Sequence, residues 1–179
     1  MLTGFRRDKL ARRFSQLDFD GDGQLQHDDL ATMAARLCDG LVPADRPDLR
    51  AEFATAYDEL WKALLGSADA DKDGKVSLEE YVTAVERDPA RFEGSVRRIG
   101  MALFDSIDDD GSDVVDPQEL FRLGSAFGLS RQETDALFER LDRDGSGEIG
   151  REEWLAAIRD FYYGDDPESA GSLLFGRVL

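Results

Sequence analysis

The sequence has one cysteine, one histidine and three methionines among its 179 residues. Because Cys38 has no second cysteine to pair with, an internal disulfide framework is excluded and a reducing compartment is favoured. No segment approaches the roughly 18 consecutive apolar residues of a membrane-spanning helix. The basic amino-terminal segment is not followed by the apolar core of a secretion signal. We therefore expect a cytoplasmic protein that does not bind or enter membranes.

Basic residues are also scarce, since 22 lysines and arginines stand against 39 aspartates and glutamates. The formal net charge of −17 argues against binding to nucleic acid or anionic lipid and favours binding to cations. Apolar residues make up 41% of the chain, which is enough to build a hydrophobic core at this length. We expect a monomeric globular protein whose partners are metal ions, with room for a protein partner that the sequence does not identify.

The acidic residues recur in four twelve-residue stretches, which begin at Asp18, Asp69, Asp108 and Asp142. Each stretch has oxygen-bearing side chains at positions 1, 3, 5 and 12 and an apolar residue at position 8. Calcium prefers six to eight oxygen ligands, and such a loop supplies them from one segment, with the backbone carbonyl of position 7 among them. The sequence therefore predicts four calcium sites, at which magnesium is a possible competitor.

The second and fourth stretches follow this pattern throughout. Both have glycine at position 6, Gly74 and Gly147, where the sharp bend needs a positive φ. The predicted ligands of the second loop are Asp69, Asp71, Asp73, the carbonyl of Lys75 and Glu80. Those of the fourth loop are Asp142, Asp144, Ser146, the carbonyl of Glu148 and Glu153. A glutamate at position 12 suits bidentate coordination, so we expect both loops to bind calcium.

The first and third stretches each depart from the pattern at one position. Position 12 of the first is Asp29, which is one methylene shorter than glutamate and should weaken calcium relative to magnesium. Position 6 of the third is Asp113, which reaches the left-handed region at a cost of about 1 kcal/mol. The predicted ligands of the first loop are Asp18, Asp20, Asp22, the carbonyl of Gln24 and Asp29. Those of the third loop are Asp108, Asp110, Ser112, the carbonyl of Val114, Asp116 and Glu119. We expect both loops to bind, the third less tightly than its partner.

Amphipathic helices flank each stretch. Leu10, Phe14 and Leu17 recur at helical spacing before the first one, and similar patterns predict eight helices in all. Ser130 with Glu133 predicts a capping box at the start of one helix. The aliphatic residues at position 8 predict two-residue β-bridges between the first and second loops and between the third and fourth. The predicted fold class is all-α, with four helix-loop-helix units in two pairs.

The pattern divides the chain into a first pair over residues 1–88, a second pair over 89–162 and a tail over 163–179. The segment Asp39–Asp48, which contains two prolines, is interpreted as the connector inside the first pair. The joint between the pairs, around Asp88 and Pro89, is brief. We therefore expect the two pairs to pack into one compact body.

The unequal spacing of the four units and the tail FYYGDDPESAGSLLFGRVL resemble the sarcoplasmic calcium-binding proteins and their calerythrin-like bacterial relatives. These proteins contain four EF-hands, as the helix-loop-helix calcium unit is called, and the resemblance covers nearly the whole chain. It implies a calcium buffer or carrier. It also implies that the tail folds back onto an apolar cavity, where its apolar residues fill the groove that a calcium sensor leaves open. Those residues are Leu173, Leu174, Phe175 and Val178.

Two other functions compete with buffering. A calcium sensor would displace the tail and grip a partner protein, but sensors use methionine-rich grooves and this chain has few methionines. Calcium-triggered photoproteins share the four-unit layout, but they hold a cofactor with histidines, whereas His27 lies in the first loop, where we expect solvent exposure. Trp61 and Trp154 are expected in the core. No catalytic arrangement of side chains is recognised, so we expect no enzymatic activity.

Overall fold

The computed structural model describes residues 4–87 and 89–175, without the side chains of 89–91. Asp88 of the predicted joint and Val178 of the predicted tail lie outside the described residues. The helices of the first pair are α1 (Gly4–Leu17), α2 (His27–Leu41), α3 (Pro47–Ser67) and α4 (Leu78–Arg87). Those of the second pair are α5 (Pro89–Ile107), α6 (Pro117–Ala126), α7 (Arg131–Leu141) and α8 (Arg151–Tyr163). The eight predicted helices are confirmed, and a short helix α9 (Ala170–Leu173), which was not predicted, lies in the tail.

Two short antiparallel ladders join the loops. Strand β1 (Gln24–Leu25) pairs with β2 (Val76–Ser77), and β3 (Val114–Val115) pairs with β4 (Ile149–Gly150). The position-8 residues stand opposite each other, Leu25 against Val76 and Val115 against Ile149, and all four side chains are fully buried. The predicted pairing of first with second and third with fourth loops is therefore confirmed.

The connector inside the first pair is shorter than Asp39–Asp48, so that prediction was wrong at both ends. Helix α2 continues to Leu41, and α3 begins at Pro47, which leaves residues 42–46 between them. Arg50 on α3 donates to the carbonyls of Cys38 and Val42, each at 3.3 Å, and thus satisfies carbonyls at the end of α2. Pro47 takes a first-turn position, where its missing N–H costs no helical hydrogen bond.

The two pairs share one core. Helix α3 of the first pair packs along α5 of the second, and Arg98 on α5 donates to Glu52 and Glu59 on α3, each at 2.6 Å. Trp61 and Trp154 are buried, as predicted. No described helix combines the length and apolarity needed to cross a bilayer.

The tail lies over the junction of the two pairs. Leu174 and Phe175 are buried, and Leu173 is partly buried. The Phe175 ring meets the rings of Phe127 and Phe161 edge-on, with centroids 5.3 and 4.8 Å apart. Such edge-to-face contacts stabilise aromatic clusters beyond the area they bury. The tail residues described here are therefore part of the hydrophobic core.

Cations on α1 hold this tail in place. Lys9 is fully buried, and its Nζ donates to the carbonyls of Asp160 (3.2 Å) and Gly164 (2.8 Å) at the end of α8 and to Ser172 Oγ (3.1 Å). Burial lowers the pKa of Lys9, although the nearby Asp160 opposes that shift. The equally buried Arg13 guanidinium lies 4.6 Å from the centroid of the Phe175 ring. Helix α1 is thus tied to both α8 and the tail.

Candidate metal centres

The first carboxylate of each loop organises the backbone of that loop. In the fourth loop, Asp142 Oδ1 accepts from the N–H of Ser146 and Oδ2 accepts from the N–H of Gly147, both at 2.9 Å. Asp69 and Asp108 accept from the same two positions of their loops, at distances between 3.0 and 3.2 Å. Asp18 also uses both oxygens, but its Oδ1 accepts from the N–H of position 4, Gly21, and its Oδ2 from that of Gly23, both at 3.0 Å. Each carboxylate oxygen retains lone pairs beyond the hydrogen bond it accepts. The position-1 side chains are therefore oriented by the backbone and still able to bind a cation.

The carboxylate at position 12 closes each loop. In all four loops its two oxygens accept from the N–H groups of positions 2 and 9. Glu153 does so at 2.8 and 3.0 Å. Asp29, although shorter, reaches the same two positions at 3.1 and 2.8 Å. Aspartate in place of glutamate at position 12 therefore still closes the first loop. That it weakens calcium binding relative to magnesium stays a prediction.

Three carboxylates converge in each loop, with one oxygen from each within 4.8 Å of the others. In the first two loops they come from positions 1, 3 and 5, and in the last two from positions 1, 3 and 12. The groups are Asp18, Asp20 and Asp22; Asp69, Asp71 and Asp73; Asp108, Asp110 and Glu119; and Asp142, Asp144 and Glu153. Asp29 and Glu80 lie outside these groups and contact the backbone N–H groups of their loops.

Positions 5 and 7 lie side by side in every loop. Ser146 Oγ donates to the carbonyl of Glu148 at 2.9 Å, and Ser112 Oγ donates to that of Val114 at 3.3 Å. In the other two loops the position-5 carboxylate accepts from the position-7 N–H at 2.8 Å, in the pairs Asp22 with Gln24 and Asp73 with Lys75. The predicted carbonyl ligands are therefore next to the predicted side-chain ligands. Asp116, in contrast, caps helix α6 by accepting from the N–H of Gln118 at 2.7 Å.

The bend at position 6 has the predicted positive φ in each loop. Its value is between 82° and 86° for Gly23, Gly74 and Gly147, and 68° for Asp113. A second positive φ, which was not predicted, occurs at position 4 of every loop, between 61° and 73°. Glycine at position 4 in three of the four loops was the signal for it, and Lys72 is the exception.

Hydrogen bonds favour the ionised form of several loop carboxylates. Those from Ser77 hold the pKa of Glu80 below its usual value, and those from Ser112 and Ser146 do the same for Asp110 and Asp144. Ionised carboxylates with neighbouring carbonyls form an all-oxygen donor set, which suits calcium or magnesium. None of the four groups among the described residues includes a histidine or a thiol, the ligands that zinc favours. The residues present therefore fit a hard divalent cation.

The family model described as an EF-hand domain pair matches residues 7–86 and 97–159. The chain belongs to the EF-hand family. It is 26% identical over 173 residues to calerythrin from Saccharopolyspora erythraea, covering 92% of this chain and 96% of calerythrin. This is an EF-hand calcium-binding protein with four acidic loops, related to calerythrin.

Solved structures have the same architecture. One is a calcium-binding protein from Streptomyces coelicolor, described in the context of prokaryotic calcium-mediated regulation, with 29% identity and a TM-score of 0.72. The match covers 90% of this chain and 99% of that protein. The sarcoplasmic calcium-binding protein of amphioxus has 22% identity and a TM-score of 0.75, with 99% of both chains covered. The predicted family and fold class are therefore confirmed.

A lysine of the second EF-hand loop lies beside a candidate ligand of the first. Lys75 Nζ is 3.8 Å from Asp22 Oδ2, and both side chains are partly exposed. A calcium ion bound to Asp22 would repel this ammonium group, because like charges at short range destabilise each other. The Lys75 side chain therefore competes with an ion for the first loop, while its carbonyl is a candidate ligand in the second.

Removing this competing charge should strengthen calcium binding at the first loop. For Lys75→Met we expect the dissociation constant of that loop to fall by about twofold to fivefold, which is the range of a partly exposed ion pair. Site-resolved titration by amide NMR of residues 18–29 measures it. Lys62→Met is the control, because it removes the same charge from a pair with Asp58 on α3. If Lys62→Met increases the calcium affinity of the first loop as much as Lys75→Met does, the gain comes from the lower total positive charge and not from the contact between Lys75 and Asp22.

Proposed function

We propose that this EF-hand protein is a cytoplasmic calcium buffer that acts as a monomer and without enzymatic activity. The observation that carries the proposal is the position of Phe175, which is 4% exposed and whose ring packs between those of Phe127 and Phe161. A sensor must offer an apolar surface to its target when calcium binds. Here the described part of the tail covers apolar surface at the junction of the pairs.

Opening this junction would be costly. Displacing the tail would remove Ser172 from Lys9 and the Phe175 ring from Arg13. It would also break the hydrogen bonds that Arg12 and Gln16 donate to the Phe175 carbonyl at 3.1 and 3.0 Å. Buried cations are tolerated only when they keep their partners. These contacts favour a body that changes shape little as it binds ions, which is the behaviour of a buffer.

We further propose that each loop binds one ion through the residues the pattern predicts at positions 1, 3, 5, 7 and 12. Bound calcium would neutralise carboxylates that now face one another within 4.8 Å. The chain would then consist of a calcium-binding pair over residues 1–88, a second over 89–162 and a covering tail over 163–179. The convergence of three carboxylates in each loop supports this assignment.

Loss of a position-12 glutamate should remove one binding event. Calorimetric titration of chelator-treated Glu80→Gln and of Glu153→Gln should each give about one calcium fewer than the parent protein, because an amide cannot coordinate as a bidentate carboxylate. The matched controls are Glu79→Gln and Glu152→Gln, which remove the same charge from the preceding, solvent-exposed residue. A Glu80 or Glu153 variant with the stoichiometry of its control would refute the assignment for that loop.

The second candidate function is a calcium sensor. A cleft of about 710 Å³ opens beside the first loop, and Phe19, Met33 and Phe127 are among its lining residues. Among the described residues, Phe19 is a large hydrophobic residue that is exposed to solvent, with a fractional exposure of 48%. The Streptomyces coelicolor relative, described in the context of calcium-mediated regulation, also supports this alternative. A sensor would use this cleft after the tail moves.

A hydrophobic dye distinguishes the two functions. For a buffer, we expect dye fluorescence to stay within about twofold of its calcium-free value when calcium is added, because the tail keeps the apolar junction covered. The same titration in millimolar magnesium tests the predicted competitor. A large rise in fluorescence that requires calcium would favour the sensor and overturn the buffer.

A further inference from the structure

The third EF-hand loop has a bend that lacks glycine. Asp113 occupies position 6 with φ of 68°, a conformation that L-residues other than glycine adopt at a cost. Its carboxylate pairs with Arg151 and is not among the three carboxylates that converge in this loop. The equivalent residues of the other three loops are glycines. A contact that holds Asp113 in this conformation would therefore stabilise the bend of the third loop. The other three loops need no such contact, because glycine adopts the bend without strain.

Arg151 is well placed to provide this contact. It is position 10 of the fourth loop and the first residue of α8, two residues before the candidate ligand Glu153. Its Nε donates to Asp113 Oδ1, while its Nη1 donates at 2.6 Å to Asp105 on α5. The guanidinium also lies 4.6 Å from the centroid of the Phe104 ring. Three contacts thus fix Arg151 between the fourth loop, the bend of the third loop and the helix that enters the third loop.

In the first pair, the residues at the two equivalent loop positions cannot form such an ion pair. Position 6 of the first loop is Gly23, and position 10 of the second loop is Leu78. Within the described residues of that pair, Lys75 extends from the second loop towards the first and faces the candidate ligand Asp22. In the second pair, Arg151 faces Asp113, which is outside the ligand set. The two cations are therefore expected to affect their neighbouring sites in opposite directions.

We propose that Arg151 is a positioning residue for the third EF-hand: by pairing with Asp113 it holds the glycine-free bend in its left-handed conformation and links ion binding at the third loop to the fourth. The inference rests on the ligand sets proposed above and is independent of whether the protein buffers or senses calcium. Because Arg151 starts the helix that carries Glu153, ordering of the fourth loop would also order the bend of the third.

The sign of the effect separates this role from simple electrostatics. A cation near a calcium site repels the ion, so removing Arg151 should tighten binding at the third loop if charge is all that matters. If Arg151 holds the bend, its removal should weaken that site. For Asp113→Gly the two explanations again predict opposite signs. Loss of a negative charge near the site should weaken calcium binding if charge is all that matters. If the bend decides the affinity, binding should not weaken, because glycine adopts the bend without a partner.

The test is a calcium titration of the chelator-treated full chain, followed by the amide NMR signals of residues 108–119. For Arg151→Met we expect the affinity of the third loop to fall about threefold to fivefold. Asp113→Gly should match or exceed the parent affinity, and adding Arg151→Met to Asp113→Gly should cause no further fall. Arg159→Met is the control, because it removes the same charge from α8, where Arg159 pairs with Glu93 at 3.8 Å. Its third-loop affinity should not fall.

Two kinds of result would overturn the inference. If the third loop of Arg151→Met binds as tightly as the parent, or if the fall is the same with and without Asp113, Arg151 does not act through the bend. If the signals of residues 108–119 do not respond to calcium in the parent protein, the ligand assignment of the third loop fails as well. The first result leaves that assignment standing, so the two failures are distinguishable.

Discussion

Calcium should raise the melting temperature of the chelator-treated protein by roughly 10 to 20 °C, which is the largest single effect we expect. Each site filled at about a hundredfold excess over its dissociation constant contributes about 2.7 kcal/mol, and 1 kcal/mol shifts the melting temperature of a chain of this size by about 2 to 4 °C. Two filled sites, at about 5.4 kcal/mol together, are enough to account for this range. The structural cause is the repulsion among carboxylates that converge within 4.8 Å in each loop of a chain with a net charge of −17.

Thermal unfolding followed by circular dichroism, with and without calcium, measures this shift. Sodium chloride at matched ionic strength is the control, because screening alone relieves some repulsion between exposed charges. Salt should recover only a small part of the calcium effect, since it supplies no coordination. An equal shift in salt, or no shift in calcium, would mean that the loops do not bind ions in the folded protein.

Local pattern was enough to predict the loops and their pairing. Leu25 and Val76 are apolar at position 8 of acidic loops, and their burial in a two-residue ladder follows from that spacing. The bend at Asp113 was also predictable, because position 6 needs a positive φ whatever residue is there. These features depend on residues within one loop or one pair, where sequence distance and spatial distance are closely related.

The contacts of the tail were beyond the reach of local pattern. Helical periodicity assigns lysine and arginine to solvent, yet Lys9 and Arg13 are buried because α1 packs against the end of α8 and against Ser172 and Phe175. Lys9 contacts Ser172, which is 163 residues away in the sequence. Likewise, α2 continues into the expected connector, and Arg50 on α3 donates to the carbonyls of Cys38 and Val42 at its end. In each case a partner distant in sequence or on another element decides the structure.

The second large effect concerns the tail. Phe175→Ala should lower the free energy of unfolding in calcium by about 3 to 5 kcal/mol, the usual result of removing a buried phenylalanine. The variant loses edge-to-face contacts with Phe127 and Phe161 and leaves the buried Arg13 guanidinium without its ring. Urea denaturation in saturating calcium measures the change.

Phe19→Ala is the matched control, because it removes the same side chain from a position that is 48% exposed and should cost less than about 1 kcal/mol. Dye binding by Phe175→Ala in calcium should rise above that of both the parent and the control, since the junction between the pairs is then uncovered. If Phe175→Ala is as stable as Phe19→Ala, the tail does not close the body, and the main support for the buffer is lost. If it is unstable but binds dye like the parent, the ring stabilises the core without covering a binding surface, and the sensor alternative loses its groove as well.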